Sequence, residues 1–140
     1  MSEWYQMTSK NGYLLHEVGS AMQKEIRRGK VSEAMYWASE LLISGYDGYA
    51  WKRLEIIMVE DVDIHQPGLF ADIHALRMTA AAGKKERRDK SSRDERENLC
   101  LMAAVWRLAE ARKSRVNCTA TDFFCNMPRS ETMMLEMPDY

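Results

Sequence analysis

An all-α bundle of about five helices is the fold class this sequence predicts, and three observations carry it. Large apolar residues recur at steps of three and four along successive stretches from Tyr13 to Ala80, and apolar residues dominate again from Leu99 to Ala109. Turn-forming residues, Asn11-Gly12, Gly29, Gly45 and Pro67, punctuate these stretches. The connections are of the usual short length except for one charged run. With 140 residues, 46% apolar and 29% charged, the chain holds enough apolar material for the core of one ordinary domain.

Residues 1–12 read as a polar lead-in that ends at the Asn11-Gly12 turn. The first helix places Leu15, Val18, Met22 and Ile26 on one side, with Glu17, Gln23, Lys24 and Arg27 on the other. Arg27 and Arg28 suit the negative end of its dipole, and Gly29 closes it in the left-handed conformation. That basic pair reads as a helix terminus ahead of a phosphate site. A second helix is expected from Ser32 as N-cap to Gly45, burying Ala34, Ala38, Leu41 and Leu42. Tyr36 and Trp37, beside that stripe, are read as core aromatics and not as a ligand box.

Asp47 is the expected N-cap of a third helix, whose inner face is Ala50, Leu54, Ile57 and Met58. Trp51, Ile56 and Val59 widen that face, which predicts cover on two sides. Pro67 suits the first position of a fourth helix with the stripe Leu69, Ile73, Leu76 and Ala80. Between the two lie Glu60, Asp61 and Asp63. Converging carboxylates suit a hard cation, but the glycine and distant glutamate of an EF-hand loop are missing. The favoured reading is that these acids cap the loop and pair with an arginine such as Arg53.

Lys84 to Arg96 is the one abrupt shift, with seven basic and four acidic residues and no apolar ones. It reads as a solvated linker or frayed helical extension. A phosphate-tracking role would draw on Lys84, Lys85, Arg87 and Arg88, together with Arg27 and Arg28. Interleaved acids and the lack of stacking aromatics count against it. Beyond the linker, Leu99, Met102, Val105, Trp106 and Ala109 share one side of a helix while Leu101, Ala104 and Leu108 occupy another. A helix apolar nearly all round is buried centrally or lies against a second subunit. Leu101, Met102, Val105, Trp106 and Leu108 are therefore the candidate interface residues. After residue 116 the chain reads as a partly ordered tail. Phe123 and Phe124 are expected to pack back on the bundle, and Met127, Met133, Met134 and Met137 to lack a core of their own.

Twenty basic residues against twenty-one acidic ones give a net charge of −1, so any attraction to nucleic acid or an anionic membrane must be local. Cys100, Cys118 and Cys125 are widely spaced and odd in number, which suits a reducing compartment. The opening residues lack the build of a signal peptide and no apolar run spans a bilayer, so a cytoplasmic protein is expected. His16, His65 and His74 show no metal-pair spacing. Without a phosphate loop, GxSxG or HExxH, the expectation is a non-enzymatic protein with no cofactor and no metal.

One string of residues points to a family. Arg28-Gly29, Ala34, Tyr36-Trp37, Gly45, Asp47, Arg53-Leu54 and Glu60-Asp61-Val62 resemble the C-terminal helical region of the RarA/MgsA group of AAA+ proteins, relatives of the Werner-helicase-interacting ATPase. Leu108-Ala109, Ala111 and Lys113-Ser114 continue the resemblance, which covers about residues 13–116. Arg112 stands where that family usually has proline, a departure that would let the helix run on by a turn. The family's short GxPEA connection is replaced here by the charged run. The resemblance implies a collar-like helical domain that holds subunits together as a dimer or tetramer. Its implied partners are a RarA-like ATPase or single-strand-binding protein in replication and repair, and it carries no ATP site with it. A nucleic-acid-binding accessory protein is the alternative.

Overall fold

The computed structural model describes residues 2–130 and 134–139. After a 3-10 turn at Glu3–Gln6 come six helices: α1 (Leu15–Arg27), α2 (Val31–Ile43), α3 (Asp47–Glu60), α4 (Leu69–Glu86), α5 (Glu95–Glu110) and α6 (Val116–Thr121). A π-type turn, Asp122–Asn126, continues α6. The fold is an all-helical bundle, and among the described residues the only β-pairing is two isolated antiparallel bridges, Thr8 with Leu14 and Val62 with Lys113. No helix among the described residues is long and apolar enough to cross a membrane.

The predicted stripes become the core. Leu15, Val18, Met22 and Ile26 of α1 are buried against Ala34, Ala38 and Leu41 of α2, with Leu54 and Ile57 of α3 and Leu69 and Ile73 of α4 in the same cluster. Gly29 ends α1 at φ +72°, its N–H and that of Lys30 donating to the carbonyls of Ile26 and Glu25 at 3.0 and 2.9 Å. Gly19 answers a different demand. A Cβ there would fall 2.2 Å from the Tyr49 hydroxyl, so glycine leaves the room in which the Tyr49 ring of α3 lies against α1.

Several helix ends differ from expectation because the named caps are occupied elsewhere or lie a residue or two off. Helix α2 starts at Val31, so Ser32 lies inside it and no side chain caps it. Asp47 is the first residue of α3 rather than its cap, and its carboxylate accepts from Lys84 Nζ at 2.9 Å. Pro67 sits in the turn before α4, whose cap is Gly68 at φ +76°. The charged run also divides. Lys84, Lys85 and Glu86 complete α4, and Asp94 begins α5 through a capping box in which Arg96 N donates to Asp94 (2.9 Å) and Asp94 N to Glu97 (2.7 Å). Between them Arg87 turns inward to Glu97, with Nη2 to Oε1 at 3.0 Å.

Helix α5 is the central element, packing on α1, α2, α3 and α4. Its all-round apolar character is thereby explained within one chain. Leu101, Val105 and Leu108 are fully buried and so are core residues, not an interface. Met102 is half-buried, while Trp106 is half exposed and Leu99 is exposed. The helix ends at Glu110 and does not run on through Arg112, since the backbone of Arg112 is engaged by Asp63.

Four further expectations change. The lead-in is fastened: Trp4 packs edge-on against Tyr49, and buried Glu40 of α2 accepts from Ser9 Oγ (2.6 Å), Asn11 N (3.1 Å) and Asn11 Nδ2 (2.8 Å). Tyr36 stands half exposed in an aromatic group with Tyr13 and the part-buried Trp37, at the surface instead of in the core. Ile56 and Val59 are exposed, so α3 is covered on one side only. Phe123 and Phe124 meet edge to face and neither is buried, so they do not pack back into the bundle. Met127, Met134 and Met137 are exposed, and Met133 lies outside the described residues.

Burial alone would push the Glu40 carboxyl up, but the bonds from Ser9 and Asn11 outweigh it and hold it below the usual range. A carboxyl lowered in the folded state contributes stability that is complete above its unfolded value, about 4.3, and is lost as pH falls through the folded one. Ser9→Ala should therefore cost about 1.5 kcal/mol or more in urea unfolding at pH 7, a hydrogen bond to a charged group being removed. The difference should shrink at pH 3. An equal cost at both values would show that the charge on Glu40 is irrelevant to the clamp.

Candidate functional site

The acidic group after α3 meets the end of α5 in a two-strand crossing only three residues long. Ser114 N donates to the Asp61 carbonyl at 2.9 Å, and Asp63 N donates to the Arg112 carbonyl at 2.9 Å, with Val62 facing Lys113 between them. This crossing carries Asp61 into the interior, where it is fully buried. A carboxylate without water must find donors in the protein. Asp61 accepts from Arg27 Nε at 3.0 Å and Nη2 at 3.3 Å, and from Gln23 Nε2 at 2.8 Å. Arg115 Nε stands 3.7 Å away, while Arg53 donates to the Gln23 side-chain oxygen.

The neighbouring acids are held in the same manner. Asp63 accepts from His65 N at 2.9 Å and from the Arg112 guanidinium, with Nε at 2.8 Å. The His65 amide, with Arg112 next, holds the Asp63 carboxyl below the usual carboxylate range. Glu60 pairs with Arg115 at 3.3 Å. Arg115 also donates to Cys118 Sγ at 3.3 Å, and that bond, with the charge of Asp61 behind it, raises its proton affinity. Lys113 closes the end of α5 by donating to the carbonyls of Ala109 (2.7 Å) and Ala111 (2.6 Å). Burial pushes its ammonium down, and Asp61 opposes the shift.

The sequence reading of these acids as loop caps paired with arginine keeps its form but changes its partners. Arg53 reaches Gln23, and the arginines that meet the acids are Arg27, Arg112 and Arg115. No group of three or more His, Cys, Asp or Glu among the described residues is arranged to hold a metal. Chemically the arrangement is a latch: each carboxylate is already neutralised by a guanidinium, and three chain segments are tied by it.

The basic candidates fall into two separate groups. Arg27 belongs to the latch and Arg28 pairs with Glu25 at 3.0 Å, both at the end of the bundle where Gly29 approaches Ala109. Lys84 pairs with Asp47 and Arg87 with Glu97 beside the opposite end of α5. Lys85 and Arg88 are exposed and make no ion pair among the described residues. From Glu97 to Ala109 along α5 is about 18 Å at 1.5 Å per residue, so the two groups do not form one patch. All three cysteines are free, with Cys100 buried and Cys125 exposed.

Sequence reasoning missed Gln23, Arg112 and Arg115 as partners of the acids, and nothing local marks them. It also missed the capping box, although Asp94 and Glu97 have the required spacing inside the charged run. No model of a known protein family matches this chain, and no curated protein matches it.

Asp61→Asn should destabilise the fold by about 2–4 kcal/mol in urea unfolding, toward the lower part of what breaking a buried ion pair costs because Arg27 keeps partial access to water. Asp61→Leu combined with Arg27→Met should recover most of that loss. A cost below about 0.5 kcal/mol, the range of ordinary surface substitutions, would mean that the latch does not hold the bundle.

Proposed function

We propose that this chain is a non-enzymatic oligomerisation and protein-interaction module, related to the C-terminal helical domain of the RarA/MgsA replication and repair ATPases. The observation that carries the proposal is where the resembling residues fall. Arg28-Gly29, Glu60-Asp61-Val62 and the stretch with Ala109 and Lys113-Ser114 come from three distant parts of the chain and meet around the latch at one end of the bundle. Gly45 takes its left-handed turn at φ +83°, and Ala34 and Leu54 are fully buried. These are positions where a shared fold would demand the same residue type. Kinship through that fold supports the assembly role, a RarA-like ATPase or single-strand-binding protein being the partner it implies.

The commitment of Asp61, Asp63 and Glu60 to arginines favours a structural role for the acids over catalysis, because a paired carboxylate is a poor proton acceptor. The alternative, a nucleic-acid-binding accessory protein, draws on the exposed Lys85 and Arg88.

Light scattering on the purified chain, alone and mixed with a RarA-like ATPase, tests the proposal. The expected result is a dimer or tetramer, or a stable complex with the ATPase. A monomer at high micromolar concentration that binds no such ATPase would overturn it. DNA binding that weakens steeply with salt and is lost in a Lys85→Ala, Arg88→Ala variant would favour the accessory role instead.

A further inference from the structure

The Asn11-Gly12 pair serves the fold as a turn, with Gly12 at φ +88°, but it also holds the ingredients of a reaction. An asparagine side-chain amide is an electrophile, and the backbone nitrogen of the next residue is its nearest nucleophile. Glycine, with no Cβ, leaves that nitrogen unhindered. Both residues are exposed, and a Cβ on Gly12 would meet nothing within 4 Å, so water reaches the pair. In the folded chain both reactants are engaged. Gly12 N donates to the Ser9 carbonyl at 3.0 Å, and Asn11 donates its N–H and its Nδ2 to the Glu40 carboxylate at 3.1 and 2.8 Å. Reaction therefore requires the lead-in to lift off α2.

Glu40 makes the consequence specific to this chain. It is 2% exposed, and its carboxylate accepts from Ser9 Oγ and the two Asn11 groups, all on the lead-in and none of them charged. We propose that Asn11 is a self-modification site: it loses ammonia while the lead-in is open, and the carboxylate left behind keeps the lead-in from closing over Glu40 again. In the first step Gly12 N bonds to Asn11 Cγ, the Cγ–Nδ2 bond breaks, and Nδ2 leaves as ammonia with the proton from Gly12 N. The cyclic imide then takes up water, the only co-reactant. Opening at Cγ gives aspartate, and opening at the main-chain carbonyl gives isoaspartate, with the backbone rerouted through the side chain.

Either product replaces the donor 2.8 Å from Glu40 with an anionic oxygen. Carboxylates at that distance repel, and a buried one has little water to screen it. Isoaspartate also adds a methylene to the turn that Gly12 N closes onto Ser9. The other fastenings, Lys10 N to Ser44 Oγ at 2.8 Å, Leu15 N to the Met7 carbonyl at 3.0 Å and Trp4 against Tyr49, are then opposed by the turn they should hold.

Ageing the full chain in mildly alkaline buffer tests this, with peptide mass mapping to read exchange of the Asn11 amide for a hydroxyl. Trp4→Ala loosens the lead-in while leaving Asn11 and Glu40 in place, and should speed ageing about tenfold or more over wild type, since one aromatic contact that keeps it closed is lost. Asn11→Asp stands in for the product. Hydrogen exchange at the Ser9 and Leu15 amides then reads the lead-in, and protected amides along α1 to α5 show that each variant is folded. Those two amides should exchange about tenfold or more faster in Asn11→Asp than in wild type, and return toward wild type when Glu40→Gln is added, because an amide can donate to the new carboxylate. Equal ageing in wild type and Trp4→Ala, or none in either, would overturn the inference. So would an Asn11→Asp lead-in as well protected as the wild type, or one that Glu40→Gln does not restore.

Discussion

Asp61 is a carboxylate removed from water, and most of what is specific about this bundle answers that fact. An ion so placed is tolerated only when donors surround it, and the donors must be carried in on rigid elements. Helix α1 brings Gln23 and Arg27 on one face, four residues apart, while the segment after α5 brings Arg115. The backbone crossing at Val62 and Lys113 fixes the depth at which these groups meet. The node thereby sets the relative positions of α1, α3 and α5, which apolar contacts alone would leave free to slide. Hydrophobic burial is large but non-directional, whereas a buried ion pair has one satisfactory geometry.

The rest of the fold follows from the position of α5. Lying against four other helices, it buries most of its apolar residues and leaves one strip toward solvent, Glu95, Leu99, Ala103, Trp106, Arg107 and Glu110. Its two ends are then the places where polar groups must be handled. At the start, the capping box and the inward-turned Arg87 satisfy Glu97, which is almost fully buried. At the finish, Lys113 takes the exposed carbonyls of the last turn. The charged run and the acidic loop are the two sets of side chains that let a greasy helix begin and stop inside the protein.

This arrangement also explains why the outer surface has a seam. With α3 covered on one side only, Ile56 and Val59 remain open, and α6 lies over them through side-chain and ion-pair links without closing the gap. None of its residues is buried, so its local stability is low.

The sequence by itself determined the helical class, the buried stripes of the first four helices and the stops at Gly29 and Gly45, because the period of 3.6 residues and the left-handed turn are properties of neighbouring residues. It also indicated that α5 had no polar face wide enough for solvent, though not whether a helix or a second chain would cover it. Only the tertiary structure decided that Leu101, Val105 and Leu108 are core, that Asp61 meets Arg27 and not Arg53, and that α6 buries none of its residues. Those outcomes depend on groups 34 to 55 positions apart. No local rule reaches that far: many arginines were chemically acceptable partners for each acid, and the packing of the helices selected among them.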